Sequence, residues 1–144
     1  MRTTDINEIL DYSDLSSALY YNGLEEWKEK IATMLAVIEG QNEGEAWHWV
    51  CKTKDKKYLY ITGWCDYTGW DCQSGCKVTE FNTKWELKRH IKTLNETQRV
   101  YAEIGGRTDE QDGWADVVVA DSLLSQIKNG RSQTWRERTR GEFE

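Results

Sequence analysis

A predicted β-hairpin between residues 47 and 62 constrains the fold more than any other part of the chain. Residues 47–51 read Trp-His-Trp-Val-Cys, so the tryptophans and the cysteine share one face of a strand and the histidine and valine share the other. After a short charged turn, residues 58–62 are rich in tyrosine and β-branched side chains, which favours a second strand. Residues 77–81 supply a third strand. We therefore predict a three-stranded antiparallel meander over residues 46–81.

Helices are predicted on the N-terminal side of this meander. Asp5 and Ser13 are favourable N-cap residues, which predicts short helices over residues 6–12 and 14–20. Residues 24–38 place their apolar side chains on one helical stripe, which predicts an amphipathic helix. The stripe consists of Leu24, Trp27, Ile31, Met34, Leu35 and Ile38.

Helices are also predicted after the meander. Thr83 and Glu86 have the spacing of a capping box, and apolar residues keep a helical rhythm as far as Ile104. Residues 114–128 contain a run of three valines, which favours a strand, and also a helical spacing of apolar side chains. We favour a helix there. Residues 131–144 hold four arginines and show no periodicity, which is typical of a flexible tail.

Together these elements predict one α+β domain over residues 1–130. It has N-terminal helices, a three-stranded antiparallel β-meander and C-terminal helices. A chain of 144 residues is long enough to bury such a core without disulfides. The Arg-rich tail, residues 131–144, lies outside this domain and is predicted to be flexible.

Residues 63–73 contain one short phrase nearly twice, Gly-Trp-Cys-Asp-Tyr-Thr followed by Gly-Trp-Asp-Cys-Gln. The phrase begins at the end of the second predicted strand, so it lies on a connection between strands. Trp64 and Trp70 are six residues apart and would face the same side of an extended segment. Two indoles beside polar groups can hold a ligand or a partner protein. The candidate contact residues are Trp64, Asp66, Tyr67, Trp70, Asp71 and Gln73.

The same phrase has a structural interpretation to which we give equal weight. In that interpretation, Trp64 and Trp70 close the hydrophobic face of the hairpin against the helix predicted over residues 24–38. The exposure of the two indoles to solvent decides between the interpretations.

The cysteines are the candidate metal ligands. Cys65, Cys72 and Cys76, joined by Cys51 or His48, offer enough soft ligands for a tetrahedral zinc site. Their spacing lacks the usual Cys-x2-Cys knuckle. We therefore favour buried free thiols and expect no cofactor, with zinc as the less favoured alternative.

A thiol enzyme is the catalytic alternative. It would combine a cysteine nucleophile with a histidine base and a carboxylate. The candidates are Cys65 or Cys72, His48 or His90, and Asp66 or Asp71. The chain has two histidines, and neither lies in a recognisable catalytic motif. We therefore lean against catalysis.

The charge of the chain argues against nucleic-acid binding. The formal net charge is −6, and the first 50 residues carry ten acidic against three basic residues. Affinity for a phosphate backbone needs clustered lysine and arginine. The acidic N-terminal third instead leaves open the mimicry of nucleic acid towards a basic partner.

The hydropathy of the chain predicts a cytoplasmic protein without a membrane partner. No apolar run has the length of a membrane span, and the N-terminal residues lack the apolar core of a secretion signal.

Residues 63–74 resemble a Cys-Asp-Tyr-Thr-Gly-Trp-Asp-Cys-Gln pattern carried by small uncharacterised bacteriophage proteins. The resemblance covers under a fifth of the chain and brings no assigned chemistry with it. It implies a small phage accessory protein that acts in the cytoplasm of the bacterial host. Such proteins often bind, sequester or block host factors, including components of anti-phage defence.

We therefore predict a non-enzymatic binding protein that inhibits or sequesters a host component. Its contact surface is the loop from Trp64 to Gln73. Its partner is a host protein or a small-molecule ligand, and a homo-oligomer is compatible with the sequence. The two alternatives are a small thiol- or zinc-dependent enzyme and an acidic mimic of nucleic acid.

Overall fold

The computed structural model describes residues 14–101 and 114–129. Within these ranges the chain forms a four-stranded antiparallel sheet, a two-stranded antiparallel ribbon, three α-helices and a 3₁₀-helix. In chain order the elements are α1 (Asp14–Tyr21), the 3₁₀-helix (Glu25–Lys30), β1 (Ile31–Ile38), β2 (Trp47–Thr53), β3 (Tyr58–Cys65), β4 (Ser74–Phe81), α2 (Lys84–Ile91), β5 (Thr97–Tyr101), β6 (Trp114–Val118) and α3 (Val119–Asn129). The predicted α+β class is confirmed.

The four-stranded sheet is a meander in which each strand pairs with the next one along the chain. The predicted hairpin, β2 with β3, forms its centre, and Trp49 lies opposite Ile61. A tight turn joins these two strands, because the Thr53 N–H donates to the Lys57 carbonyl oxygen at 2.8 Å. The prediction of a three-stranded meander therefore omitted one strand, β1, which precedes the three strands that the sequence indicates.

The prediction of an amphipathic helix over residues 24–38 is wrong. Residues Glu25–Lys30 form the 3₁₀-helix, and Ile31–Ile38 form β1. Neighbouring side chains of β1, such as Val37 and Ile38, are buried in different cores on opposite faces of the sheet. A strand that is buried on both faces reads as a continuous apolar run, and such a run also satisfies a helical stripe.

Two hydrophobic cores lie on opposite faces of the sheet. On the first, here called the α1 face, the core includes Leu15, Ala18, Leu19, Trp47, Trp49, Cys51, Leu59 and Ile61. On the second, the α2–α3 face, the core includes Ala36, Val50, Tyr60, Leu87, Ile91, Val119, Leu123 and Ile127. Since each face has its own cover of helices, β2 is buried almost completely and β3 is buried over most of its length.

Gln126 of α3 covers the outer side of β1, which is an edge strand of the sheet. The Val37 N–H donates to Gln126 Oε1, and Gln126 Nε2 donates to the Val37 carbonyl oxygen, both at 3.0 Å. The side-chain amide thus takes the place of a neighbouring strand for one residue. These two hydrogen bonds satisfy backbone groups that an open edge would offer to another chain.

The helix predicted from Thr83 towards residue 104 is much shorter in the structure. Thr83 does cap α2, because its Oγ1 accepts a hydrogen bond from the Glu86 N–H at 3.1 Å. The helix ends at Ile91, and residues 97–101 form β5 instead. Strand β5 pairs with β6, so its conformation depends on a partner that is distant in sequence and is not visible in local periodicity.

The helix predicted over residues 114–128 divides into two elements. Strand β6 occupies its start, and α3 begins at Val119, so the prediction is correct for the second part. The valine run is split accordingly, with Val117 and Val118 in the strand. The predicted helix over residues 14–20 is confirmed as α1.

Two predicted segments lie outside the described residues. They are the helix over residues 6–12 and the Arg-rich tail over residues 131–144. In the part of the chain that is described, no helix combines the length and the apolar character that are needed to cross a membrane.

We expect Gln126→Leu to destabilise the protein by about 1–3 kcal/mol, because it leaves two backbone groups of Val37 without partners. Urea unfolding followed by tryptophan fluorescence measures this change. Lys128→Ala, at an exposed position of the same helix, is the control and should change the free energy of unfolding by less than about 0.5 kcal/mol. Equal effects of the two variants would contradict the role assigned to Gln126.

Candidate functional site

The loop of residues 66–73 connects β3 to β4 and carries most of the predicted contact residues. Asp66 organises its first half, because its Oδ1 accepts hydrogen bonds from the Thr68 N–H (2.9 Å) and the Thr68 hydroxyl. The hydrogen bond from that hydroxyl lowers the pKa of the Asp66 carboxyl group. The Asp66 N–H also donates to the Gln73 carbonyl oxygen at 3.0 Å, so the two ends of the loop are joined. Asp66 is therefore a structural residue of the loop as well as a candidate contact.

Trp70 anchors the loop to the core on the α1 face. Its side chain is only 8% exposed, and its ring lies 4.9 Å from that of Trp47 and 6.5 Å from that of Trp49 between centroids. The indole Nε1–H donates to Asp14 Oδ1 at 2.9 Å, which ties the loop to the first turn of α1. For Trp70, the structure therefore matches the interpretation in which the indole closes the hydrophobic face of the hairpin.

The two glycines of the doubled phrase have different roles. Gly69 has a φ of +106°, a backbone conformation that residues other than glycine rarely adopt. It turns the loop back towards the sheet. Gly63 makes room for aromatic rings, since a Cβ atom at this position would lie 3.1 Å from both Trp49 and Trp70. The repetition of Gly-Trp in the sequence does not correspond to a repeated structure.

Trp64 and Trp70 lie on opposite faces of the sheet, and the expectation that they face the same side is wrong. Trp64 belongs to β3, and its indole rests against Gly75 of the neighbouring strand on the α2–α3 face. Strand alternation stops at the loop after Cys65, so the even spacing of the two tryptophans has no consequence for their direction. The structure therefore does not form a pocket between these two indoles.

The outward side of the loop presents the other candidate residues to solvent. Tyr67 is 72% exposed, and Asp71 and Gln73 are also exposed. Trp64 is 47% exposed at the end of β3. The exposed residues Tyr67, Asp71 and Gln73 thus lie on one loop. Trp64 lies near the end of β3, shortly before the loop begins, and Trp70 is buried in the core beneath the loop.

The candidate metal ligands are divided between the two faces of the sheet. Cys51 and Cys65 are buried in the core of the α1 face, and Cys76 packs against that core. His48 lies on the α2–α3 face, where it contacts Tyr60, so it does not share a site with Cys51. Among the described residues, no group of three or more histidine, cysteine, aspartate or glutamate side chains is arranged to hold a metal ion.

The thiols of Cys51, Cys65 and Cys76 are poor nucleophiles. Burial raises the pKa of Cys51 and of Cys76 to about 12, and it also raises the pKa of Cys65. A thiol with such a pKa remains protonated at neutral pH, whereas nucleophilic attack needs the thiolate. Cys72, in contrast, is exposed on the loop.

His48 belongs to a buried hydrogen-bond chain that the sequence did not indicate. Gln98 Nε2 donates to the Ala46 carbonyl oxygen at 2.6 Å, so Gln98 Oε1 faces His48 Nε2 at 3.1 Å. His48 therefore carries its proton on Nε2, and the Tyr60 hydroxyl donates to His48 Nδ1 at 2.8 Å. Burial lowers the pKa of His48, so the ring is neutral in the folded protein at neutral pH.

His90 is half-buried, although its sequence neighbours Lys88, Arg89 and Lys92 are charged. Its ring lies 5.5 Å from that of Tyr60 and 5.2 Å from that of Phe81 between centroids. It therefore packs between α2 and the sheet. One partner of each histidine is distant in sequence, namely Gln98 for His48 and Tyr60 for His90, so no local motif indicated these two contacts.

Comparison with protein-family models, with curated proteins and with solved structures finds no match for this chain. The site geometry is therefore the basis for assigning a function.

We expect one of the four thiols to react much faster than the others in the native protein. Cys72 is the exposed cysteine, and the raised pKa values of the buried thiols keep them protonated. Counting modified cysteines by mass spectrometry after a short treatment with iodoacetamide at pH 8 tests this. Cys72→Ser should abolish the fast reaction, and rapid modification of Cys51 in the folded protein would show that its burial is wrong.

We expect the ring of His48 to titrate below 6.5 as the Nε2–H tautomer, which NMR of the ring nitrogens can measure. Since the folded-state pKa is lowered, the unfolded chain binds this proton more readily. The contribution of His48 to stability is therefore complete above pH 6.5 and declines as the pH falls towards the folded-state pKa. Observation of the Nδ1–H tautomer would contradict the assigned hydrogen-bond chain.

Proposed function

We propose that this protein acts by binding a partner protein through the loop of residues 66–73 together with Trp64, without catalysing a reaction. This surface is here called the loop surface. The resemblance of residues 63–74 to the phage pattern supplies the setting, in which the partner is a component of a bacterial host and binding inhibits or sequesters it.

The observation that supports the proposal most strongly is an exposed tyrosine on a loop that is held in one conformation. Tyr67 is 72% exposed, while Asp66 hydrogen bonds and the buried Trp70 hold the backbone around it. A loop that is ordered before binding loses little conformational entropy when a partner is bound. Tyrosine and tryptophan are also the residues that most often dominate the binding energy of interfaces.

The thiol-enzyme alternative receives less support. Cys65 is buried and hydrogen bonds to Asn42 Oδ1 at 3.4 Å, and the two histidines are engaged in packing on the other face of the sheet. The remaining candidate nucleophile, Cys72, lies on the exposed loop, and His48 is 2% exposed. A nucleophile and its base must be within hydrogen-bond reach of each other.

The loop surface can be tested with a double variant, Trp64→Ala with Tyr67→Ala. Both side chains are substantially exposed, so we expect folding to be retained and partner capture from a bacterial lysate to fall by more than about 10-fold. Quantitative mass spectrometry of the captured proteins measures the change against the unaltered chain.

Trp85→Ala is the matched control for this experiment. Trp85 is 66% exposed on α2 and its ring stacks on Arg89, away from the loop. Its removal should leave capture unchanged. If the double variant and the control retain the same proteins in the same amounts, then the loop surface is not the contact surface.

A further inference from the structure

A cleft of about 310 Å³ lies where β2 begins and β3 ends, and Trp64 is the one residue of the loop surface among its described lining residues. Its lining includes Trp64 and Thr62 from β3, His48 from β2, Gln98 from β5, and Glu96, which directly precedes β5. Tyr67 is not among the described residues that line it. The volume is at the lower end of the range for ligand pockets, so it suits a single functional group on a short chain.

The indole of Trp64 forms an aromatic wall of this cleft. About half of its surface is exposed, whereas tryptophan is on average a highly buried residue. The neighbour is Gly75, and a Cβ atom at that position would lie 2.3 Å from Trp64 Nε1. The ring is therefore supported on one side by the backbone of β4 and is available on the cleft side for stacking.

Two carboxylates give the cleft a negative charge. Glu45 and Glu96 both line it, whereas the described lining residues include no lysine or arginine. Glu45 uses one oxygen, Oε2, to accept the Arg99 N–H at 3.1 Å, and this bond holds the side chain at the rim. A carboxylate has further acceptor positions, so Glu45 remains able to accept a hydrogen bond from a ligand.

His48 does not neutralise these carboxylates. Gln98 is held by the Ala46 carbonyl oxygen, so its side-chain oxygen accepts the Nε2–H of His48, and Tyr60 donates to the other ring nitrogen. Both nitrogens of a neutral imidazole are thereby satisfied. The Nε2 atom lies 3.8 Å from Glu96 Oε1, so the ring borders the cleft as a dipole without a charge.

We propose that this cleft binds a guanidinium group on an alkyl chain, as in an arginine side chain. The planar cation stacks on the exposed face of Trp64, and its N–H groups donate to Glu45 and Glu96. A guanidinium is favoured over an ammonium because it is weakly hydrated, stacks on aromatic faces and pairs with carboxylates through a planar fork. The inference goes beyond the proposed function, since it holds whether or not the loop surface binds a protein.

The proposal is tested by titrating the purified chain with n-butylguanidinium at low ionic strength and following the indole and backbone N–H resonances by NMR. We expect saturable shifts at Trp64 and Gln98. The neutral isostere n-butylurea and the compact cation n-butylammonium should bind at least about 5-fold more weakly. Equal binding of either compound would overturn the assignment of a guanidinium.

Variants of the lining residues locate the site. Glu96→Gln should weaken binding of n-butylguanidinium by at least about 5-fold, because it removes one of two nearby negative charges. Glu80→Gln is the matched control, since it removes the same charge from an exposed position of β4 outside the described lining. If both substitutions leave the affinity unchanged, then the carboxylate contact is refuted.

Gly75→Ala tests the aromatic wall without changing any charge. The added methyl group displaces the Trp64 ring, so we expect weaker binding together with retained folding. Unchanged binding in both Gly75→Ala and Trp64→Ala would overturn the stacking geometry.

Two further arms separate the outcomes. The tripeptide acetyl-Gly-Arg-Gly-amide distinguishes the source of the ligand: binding as tight as that of n-butylguanidinium indicates an arginine on a protein chain, and much weaker binding indicates a free small molecule. Both results support the guanidinium chemistry. Tyr67→Ala should leave n-butylguanidinium binding intact, so failure of the loop surface and failure of the cleft remain distinguishable.

Discussion

Burial of the β2–β3 hairpin on both of its faces is the constraint on which the rest of the described structure depends. The tryptophans and cysteine of β2 need a cover on one side, and Val50 with Tyr60 needs a cover on the other. Helix α1 and Trp70 supply the first cover, and α2 with α3 supplies the second. The loop and the cleft therefore lie at the margin of a sheet that is enclosed on both sides, where a residue such as Trp64 can remain half-exposed while its backbone is rigid.

Local patterns predicted those elements whose conformation depends on near neighbours. The hairpin, the Thr83 cap and α1 follow from alternation, capping chemistry and turn residues, and all three are present. The prediction for the residues of β1 was wrong because burial on both faces removes the polar alternation that distinguishes a strand from a helix. Strands β5 and β6 were not predicted because each obtains its hydrogen bonds from the other, and such pairing leaves no signal in the periodicity of either segment.

The position of the doubled phrase in the fold was predictable from the sequence, whereas the directions of its side chains were not. The phrase at residues 63–73 was expected to begin at the end of a strand and to continue into a connection between strands, and it does so. The change of direction after Cys65 sends Trp64 and Trp70 to different sides of the sheet. One tryptophan became part of a surface and the other part of the core. The cleft could not be predicted from the sequence, since Gln98 contacts His48 from a strand fifty residues away. Neither residue lies in a local motif that would indicate the contact.

The hydrogen bond from Trp70 to Asp14 links the order of the loop to the docking of α1. Undocking of α1 and displacement of the loop would both break this hydrogen bond and disturb the same core, so we expect the two segments to open together. In amide hydrogen exchange, the loop around Trp70 and helix α1 would then behave as a single cooperative unit, distinct from the unit formed by α2 and α3 on the other face. A partner protein that bound to α1 would thereby change the lifetime of the ordered loop without contacting the loop.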